Sequence, residues 1–423
     1  MLIANTADSK VNRFLDQGII VGTFIFALGS LTSKGISSIG IGLACLLWLI
    51  RIIITKNYQF KRTKLDLPIL ALIASIFISG IDAWSMEILD SSEKIILAIL
   101  FYYAIINTID SLDKVKQLSY TILFSMIISA GYGSYCFYIK NKEFISRGLS
   151  VRYIRLKGFM SPLAFGGLLA IFIIFLVVYL LWGKVNKLKK GIILLLGITM
   201  FIFLVLTKTR GAWLGFTGGL SVLAWLRDKR IIIVFLIILV MLSLFLPGQF
   251  TNIAKSIIDI KNNPSNLTRI ALWQTSWRIF KDHPINGIGW GGFKRYYKSN
   301  FEKYPVKYEV TETREKGHIE NLKKFDHVHN NFLQFLVQAG IIALLSFIIL
   351  MFFILELLYK GYYDLEENNL KLFVLASFCG VITFNIQGLT EFNFGDTETL
   401  RFFWFLIALN VIIIRLNLSR NSN

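Results

Sequence analysis

The stretch Asp326-His327-Val328-His329-Asn330-Asn331-Phe332-Leu333-Gln334 sets two of the chain's four histidines between a polar segment and an apolar run. An imidazole in such a place can take a proton from an incoming hydroxyl. Asn330 or Asn331 can cap the helix that follows, which puts His329 just before its first turn. The positive end of a helix dipole disfavours an imidazolium, so His329 is expected to be neutral near neutral pH and able to act as a base. Asp326, His327 and His329 could contribute to a metal site, but no further His or Cys cluster completes one. No metal and no cofactor is expected.

Two other places combine charge with apolar surroundings. Thr207-Lys208-Thr209-Arg210-Gly211 joins two apolar runs with almost no loop between them. Arg210 then opens a helix, where free N–H groups already favour an anion, and its guanidinium can grip a phosphate through two parallel bonds. A snorkelling anchor is the plainer alternative. The second place is Glu391 with Asp396, Glu398 and Arg401. Acids beside a helix mouth bind a sugar or pair with arginine.

These residues need elements to hold them. The chain has 423 residues, is 55% hydrophobic, and concentrates its apolar residues in long continuous runs. A bilayer span takes about 20 apolar residues. Twelve candidates lie near 15–32, 36–54, 67–82, 95–109, 117–139, 160–182, 191–207, 211–226, 231–247, 330–358, 371–390 and 397–415. The fold class is therefore an all-α polytopic membrane protein of about 12 transmembrane helices. Continuous rather than alternating runs exclude a β-barrel. Three regions follow: helices 1–9 in 1–247, an extracytoplasmic cap in 248–329, and helices 10–12 with a tail in 330–423.

The net charge of +19 is spread over short loops such as 184–190 and 227–230, which argues against nucleic acid as partner and for membrane lipids. By the positive-inside rule those loops and both termini are cytoplasmic. The segment 140–157 breaks the rule, with Lys140, Lys142, Arg147, Arg152, Arg155 and Lys157 on the outer side. It reads either as a solvated loop or as an electropositive rim for an anionic substrate. Cys45, Cys136 and Cys379 fall in apolar helices and read as small buried hydrophobes.

In the cap, Ile270, Trp273, Trp277 and Phe280 form a helical stripe over 269–281, capped by Asn266 or Thr268 and ended by Asp282-His283-Pro284. Arg269 flanks that stripe. Gly287-Ile288-Gly289-Trp290-Gly291-Gly292 fits a dinucleotide fingerprint by letter, but no strand precedes it, so it reads as a flexible turn. The mixed charges of 294–325 read as a solvated surface.

Taken together, Thr209-Arg210-Gly211-Ala212-Trp213-Leu214-Gly215, then Thr268-Arg269-x-x-x-Trp273 with His283-Pro284-Ile285-x-Gly287-Ile288-Gly289, then His329-Asn330 with Gly340, resemble the bacterial O-antigen ligase and polymerase superfamily. The resemblance implies a glycosyltransferase of the bacterial cytoplasmic (inner) membrane with its site on the outer face. Its donor would be a glycan on undecaprenyl pyrophosphate. Its acceptor would be lipid A–core in a ligase, or another lipid-linked repeat unit in a polymerase. By that analogy Arg210 and Arg269 stabilise the pyrophosphate, His329 activates the acceptor hydroxyl, and no metal takes part. Lys208, Arg147, Arg152, Arg155 and Asn330 would help bind the substrate. The ligase pattern's final Gly-x-x-Gly is Gly340-Ile341-Ile342-Ala343 here, which weakens the ligase label against the polymerase label. A transporter or flippase of an anionic lipid is the alternative outside the enzymes; no internal repeat supports it.

Overall fold

The computed structural model describes residues 2–55, 60–81, 86–151, 154–245, 264–300, 302–304 and 325–421. Among them are fourteen helices and no strand. They are α1 (Leu2–Gly29), α2 (Lys34–Thr55), α3 (Asp66–Ile78), α4 (Met86–Thr108), α5 (Leu112–Ser146), α6 (Pro162–Trp182), α7 (Lys187–Leu206), α8 (Arg210–Leu226), α9 (Arg230–Phe245), α10 (Pro264–Asp282), α11 (Phe293–Ser299), α12 (Asn331–Asp364), α13 (Asn368–Gln387) and α14 (Thr397–Asn421). Each of the twelve expected apolar stretches coincides with one helix. Eight helices are long and apolar enough to cross a membrane: α1, α2, α5, α6, α7, α12, α13 and α14. Helix α3 has only 13 residues, α8 has 17 and α9 has 16. Helix α4 starts at Met86, well before the expected 95, and its first turns carry Glu87, Asp90, Glu93 and Lys94.

Helix starts follow short polar side chains. Ser111, Ser161, Asn186 and Asn330 each accept a hydrogen bond from a backbone N–H two or three residues on. Helices α14, α6 and α13 form the interior; Phe402 to Ile414 of α14 is buried at every position. A helix apolar on all sides belongs inside the bundle. Helix α7 instead turns Leu194, Leu195, Ile198 and Ile202 outward. That pattern fits a multi-pass membrane protein, with lipid covering the outer helices. Cys45 and Cys379 are buried as expected, and Cys136 is half-buried.

Four glycine contacts bring the motif segments together. A Cβ on Gly211 would lie 2.3 Å from Thr390 Oγ1, and one on Gly215 would lie 2.6 Å from the Thr383 carbonyl. Helix α8 therefore lies directly on α13. Gly287 has φ +67 and packs on the backbone of Gln338 and Ala339. Gly340 has φ +74, and a Cβ there would be 1.8 Å from the Ile285 carbonyl. The tenth expected span is thus broken: α12 kinks at Gly340, and Ile341 N–H donates to Pro284 O at 2.9 Å. The 287–292 segment is a turn as expected, but it is pinned rather than flexible. Trp290 N–H also donates to Ser79 Oγ at 3.1 Å.

The cap differs from expectation in its helix. Helix α10 begins at Pro264, so Asn266 and Thr268 lie inside it and do not cap it. Its buried face is Ala271, Leu272, Thr275, Ser276 and Ile279, while Trp277 of the expected stripe is exposed. The charged stretch expected from 294 includes α11, whose Phe293 and Tyr297 are buried. Residues 248–263, 301 and 305–324 of the cap lie outside the described residues.

Candidate active site

Five segments converge on one end of the bundle. Before α6, Leu156 N–H donates to Leu206 O at 3.0 Å, so 154–157 lies along the end of α7. Arg155 donates from Nε to Thr207 O and from Nη2 to Thr209 Oγ1, both at 2.8 Å. Thr209 is the residue before α8, and Arg210 is its first helical residue. Trp213 Nε1 fastens that start by donating to Leu204 O at 2.9 Å. Lys208 turns its amine to Ile154 O at 2.8 Å. The basic segment and the Thr207–Arg210 turn therefore share one face.

The histidine stretch is tied to the loop after α13. Asn330 caps α12, and its Nδ2 donates to Leu389 O at 2.9 Å. Asn331 N–H donates to Gly388 O at 2.7 Å, and Asn331 Nδ2 donates to Asn393 Oδ1 at 2.6 Å. This registers His329 against Glu391. His329 Nδ1 lies 2.8 Å from Glu391 Oε1. A carboxylate there accepts the Nδ1 hydrogen, which leaves Nε2 with its lone pair free for a proton.

Glu391 is buried and shared. Arg269 Nη2 approaches its Oε2 at 3.5 Å, an ion pair by distance but not a hydrogen bond, so Oε2 keeps no hydrogen-bond partner among the described residues. Arg269 Nε donates to Thr390 O at 2.9 Å and Nη1 to Ser265 Oγ at 2.8 Å. His327 Nε2 lies 3.6 Å from Glu391 Oε1, and His327 Nδ1 lies 2.8 Å from Asp326 Oδ1.

Burial works against charge on His327, but Asp326 and Glu391 outweigh it and push its pKa up to about 9. Burial likewise opposes charge on Glu391, yet His327, His329 and Arg269 hold its carboxyl well below the usual range. Its hydrogen bond to His327 brings Asp326 down to about 2. Burial works against the Arg155 charge too; Glu391 supports it and Arg269 opposes it, so both lie within electrostatic reach. The charges of Arg269 and Arg155 also reach Arg210.

The structure thus brings His329, Arg269, Arg210, Arg155, Lys208 and Asn330 to one end of the bundle. Arg147 is at the exposed end of α5, paired with Glu143 at 2.8 Å. Arg152 lies outside the described residues. Of the acids after α13, Glu391 joins the histidines, while Glu398 pairs with Lys34 at 2.9 Å. Arg401 donates to Ser37 and Ser38 of α2, at 3.2 and 2.9 Å. Sequence reasoning missed the bond from Glu391 to His329; its one signal was an acid just past the end of an apolar helix. Two non-glycine residues in the described chain have positive φ, Lys208 at 53° and His329 at 55°. Both are at this site, where backbone strain tends to collect.

Residues 195–348 match the family model described as O-antigen ligase. That match holds α8, α10 and the His329 stretch; Glu391 lies beyond it. The teichuronic acid biosynthesis protein TuaE of Bacillus subtilis (strain 168) is 27% identical over 229 residues, which is 53% of this chain and 40% of that protein. Through the segment that carries Arg210, Arg269 and His329, the chain is similar to the O-antigen ligase family.

Proposed function

We propose that the protein is a membrane glycosyltransferase. It moves a glycan from undecaprenyl pyrophosphate to a sugar hydroxyl of an acceptor at the outer face of the cytoplasmic membrane. The observation that carries this reading is the His329 Nδ1–Glu391 Oε1 contact of 2.8 Å beside Arg269. The acceptor hydroxyl gives its proton to His329 Nε2 as its oxygen attacks the sugar's anomeric carbon. The bond to the pyrophosphate breaks, and negative charge develops on the leaving oxygen. Arg210 and Arg269 meet that charge where water is scarce, and such fixed cations lower the barrier most. Arg155 holds the Thr207–Thr209 turn and so positions Arg210.

O-antigen ligation to lipid A–core is the first reading of the acceptor. The relative's role in teichuronic acid biosynthesis supports a second, polymerisation of another polysaccharide from the same class of donor. A transporter would use the same cations for binding alone.

The test is transfer by purified protein from a lipid-pyrophosphate glycan, with no membrane gradient and with chelator present. Wild type is expected to be active, with Arg210→Ala and His329→Ala inactive yet inserted. Normal transfer by both variants would overturn the proposal. The acceptor that gains label separates ligase from polymerase.

A further inference from the structure

The sequence offered Asp326, His327 and His329 without a further ligand to complete a site. The fold supplies one from 62 residues away, since Glu391 Oε1 meets both imidazoles. Among the described residues, the ligating atoms of His327, His329 and Glu391 all lie within 4.8 Å of one another. Two of the separations are 2.8 Å, from His329 Nδ1 to Oε1, and 3.6 Å, from His327 Nε2 to Oε1. A tetrahedral ion with bonds of about 2.0–2.1 Å sets its ligand atoms roughly 3.3 Å apart. The three atoms need only small shifts to surround one.

We infer that His327 Nε2, His329 Nδ1 and Glu391 Oε1 form a binding site for a zinc-class transition-metal ion, and that its occupation switches off the base.

Three further observations bear on it. Asp326 Oδ1 holds His327 Nδ1 at 2.8 Å, the outer carboxylate that fixes a ligating imidazole and points its other nitrogen inward. Two imidazoles and one carboxylate suit zinc, cobalt, nickel or copper; magnesium and calcium prefer oxygen alone. The His327 side chain is 31% exposed, so a fourth position can reach water. Arg269 opposes a cation, but it stands on Oε2 and leaves Oε1 to the metal. Its charge makes the site weaker than a structural zinc site, suited to reversible occupation.

The switch follows from the protons. The metal replaces the hydrogen between His329 Nδ1 and Glu391. The neutral imidazole then carries its one N–H on Nε2. An Nε2–H cannot accept a proton from a hydroxyl. The switch rests on the reading of His329 as the base; the metal site does not.

The experiment titrates tag-free, full-length protein in detergent with Co2+ and follows visible ligand-field absorption, then displaces it with Zn2+. One saturating equivalent is expected. His327→Ala and Glu391→Gln should each weaken binding at least tenfold. Asp326→Asn changes a largely exposed side chain and should weaken it about tenfold. Absence of saturable Co2+ binding, or titrations unchanged in all three variants, overturns the site. In the transfer assay, Zn2+ should inhibit reversibly. His327→Ala should need at least ten times more Zn2+ for half-inhibition of its own metal-free rate. Saturable binding with undiminished transfer overturns the switch alone. Wild-type transfer by metal-free His329→Ala overturns the reading of the base instead.

Discussion

At the scale of single residues, His329 combines the chemical role proposed for it with backbone strain. A left-handed non-glycine residue costs on the order of 1–3 kcal/mol, and asparagine tolerates it best. His329→Asn is therefore expected to abolish transfer while thermal unfolding in detergent stays within about 1 kcal/mol of wild type. Loss of a general base costs about 100- to 10,000-fold in rate. Glu391→Gln keeps the shape but removes the negative charge that holds the His329 Nδ1 hydrogen, and a flipped amide can offer a donor there instead. It should lower kcat by about 100-fold with little change in donor KM, read by steady-state transfer kinetics. Asp396 gives a prediction on stability. Burial, with Glu391 and Glu398 nearby, raises its carboxyl to about 7, against the pull of His327 and Lys34. A raised acid stabilises the fold below its unfolded pKa, and that contribution is lost as pH rises through about 7. Unfolding temperature should fall between about pH 5 and pH 8, and Asp396→Asn should flatten the fall.

At the scale of elements, the break in α12 is the feature to test. Gly340→Ala would push a methyl group into the Ile285 carbonyl at 1.8 Å and strain a φ of +74. Such a change should destabilise by about 1–3 kcal/mol and reduce transfer, since the 284–288 turn and the His329 stretch share that joint. Chemical denaturation beside the transfer assay checks both. The elements also show what the sequence disclosed. Long apolar runs marked every spanning helix, and Asn330 marked the start of α12, because burial and capping are local signals. The kink at Gly340 was hidden because the apolar pattern runs straight through it. The buried face of α10 differs from the expected stripe because small and polar residues, Ala271, Thr275 and Ser276, lie on it beside Leu272 and Ile279. Small residues mark close helix packing, and no periodicity of bulky side chains reports it. The partner of His329 lay 62 residues away, beyond any spacing rule.

At the scale of the whole molecule, loops at the two ends of the bundle carry different contacts. Thr207, Arg269, His329 and Glu391 gather at one end. At the other, Lys61 N–H donates to Asn107 Oδ1 at 2.8 Å, and Arg415 donates to Ile106 O at 2.8 Å. In a background with the three native cysteines replaced, a cysteine at Leu149 should react with an impermeant reagent in whole cells. One at Arg62 should react only after the membrane is opened. Reversed labelling would contradict the orientation proposed for the site. The long-range bonds carry a last consequence, for biosynthesis. A chain inserted from its N-terminus places Arg155 and Arg210 before Glu391. His329 follows, and its partner Glu391 arrives only after α13 has emerged. Until then the nascent chain holds Arg269 and His329 without the carboxylate that both approach. The centre is therefore complete only once Glu391 has joined His329, and a chain stalled before residue 391 is expected to lack that contact.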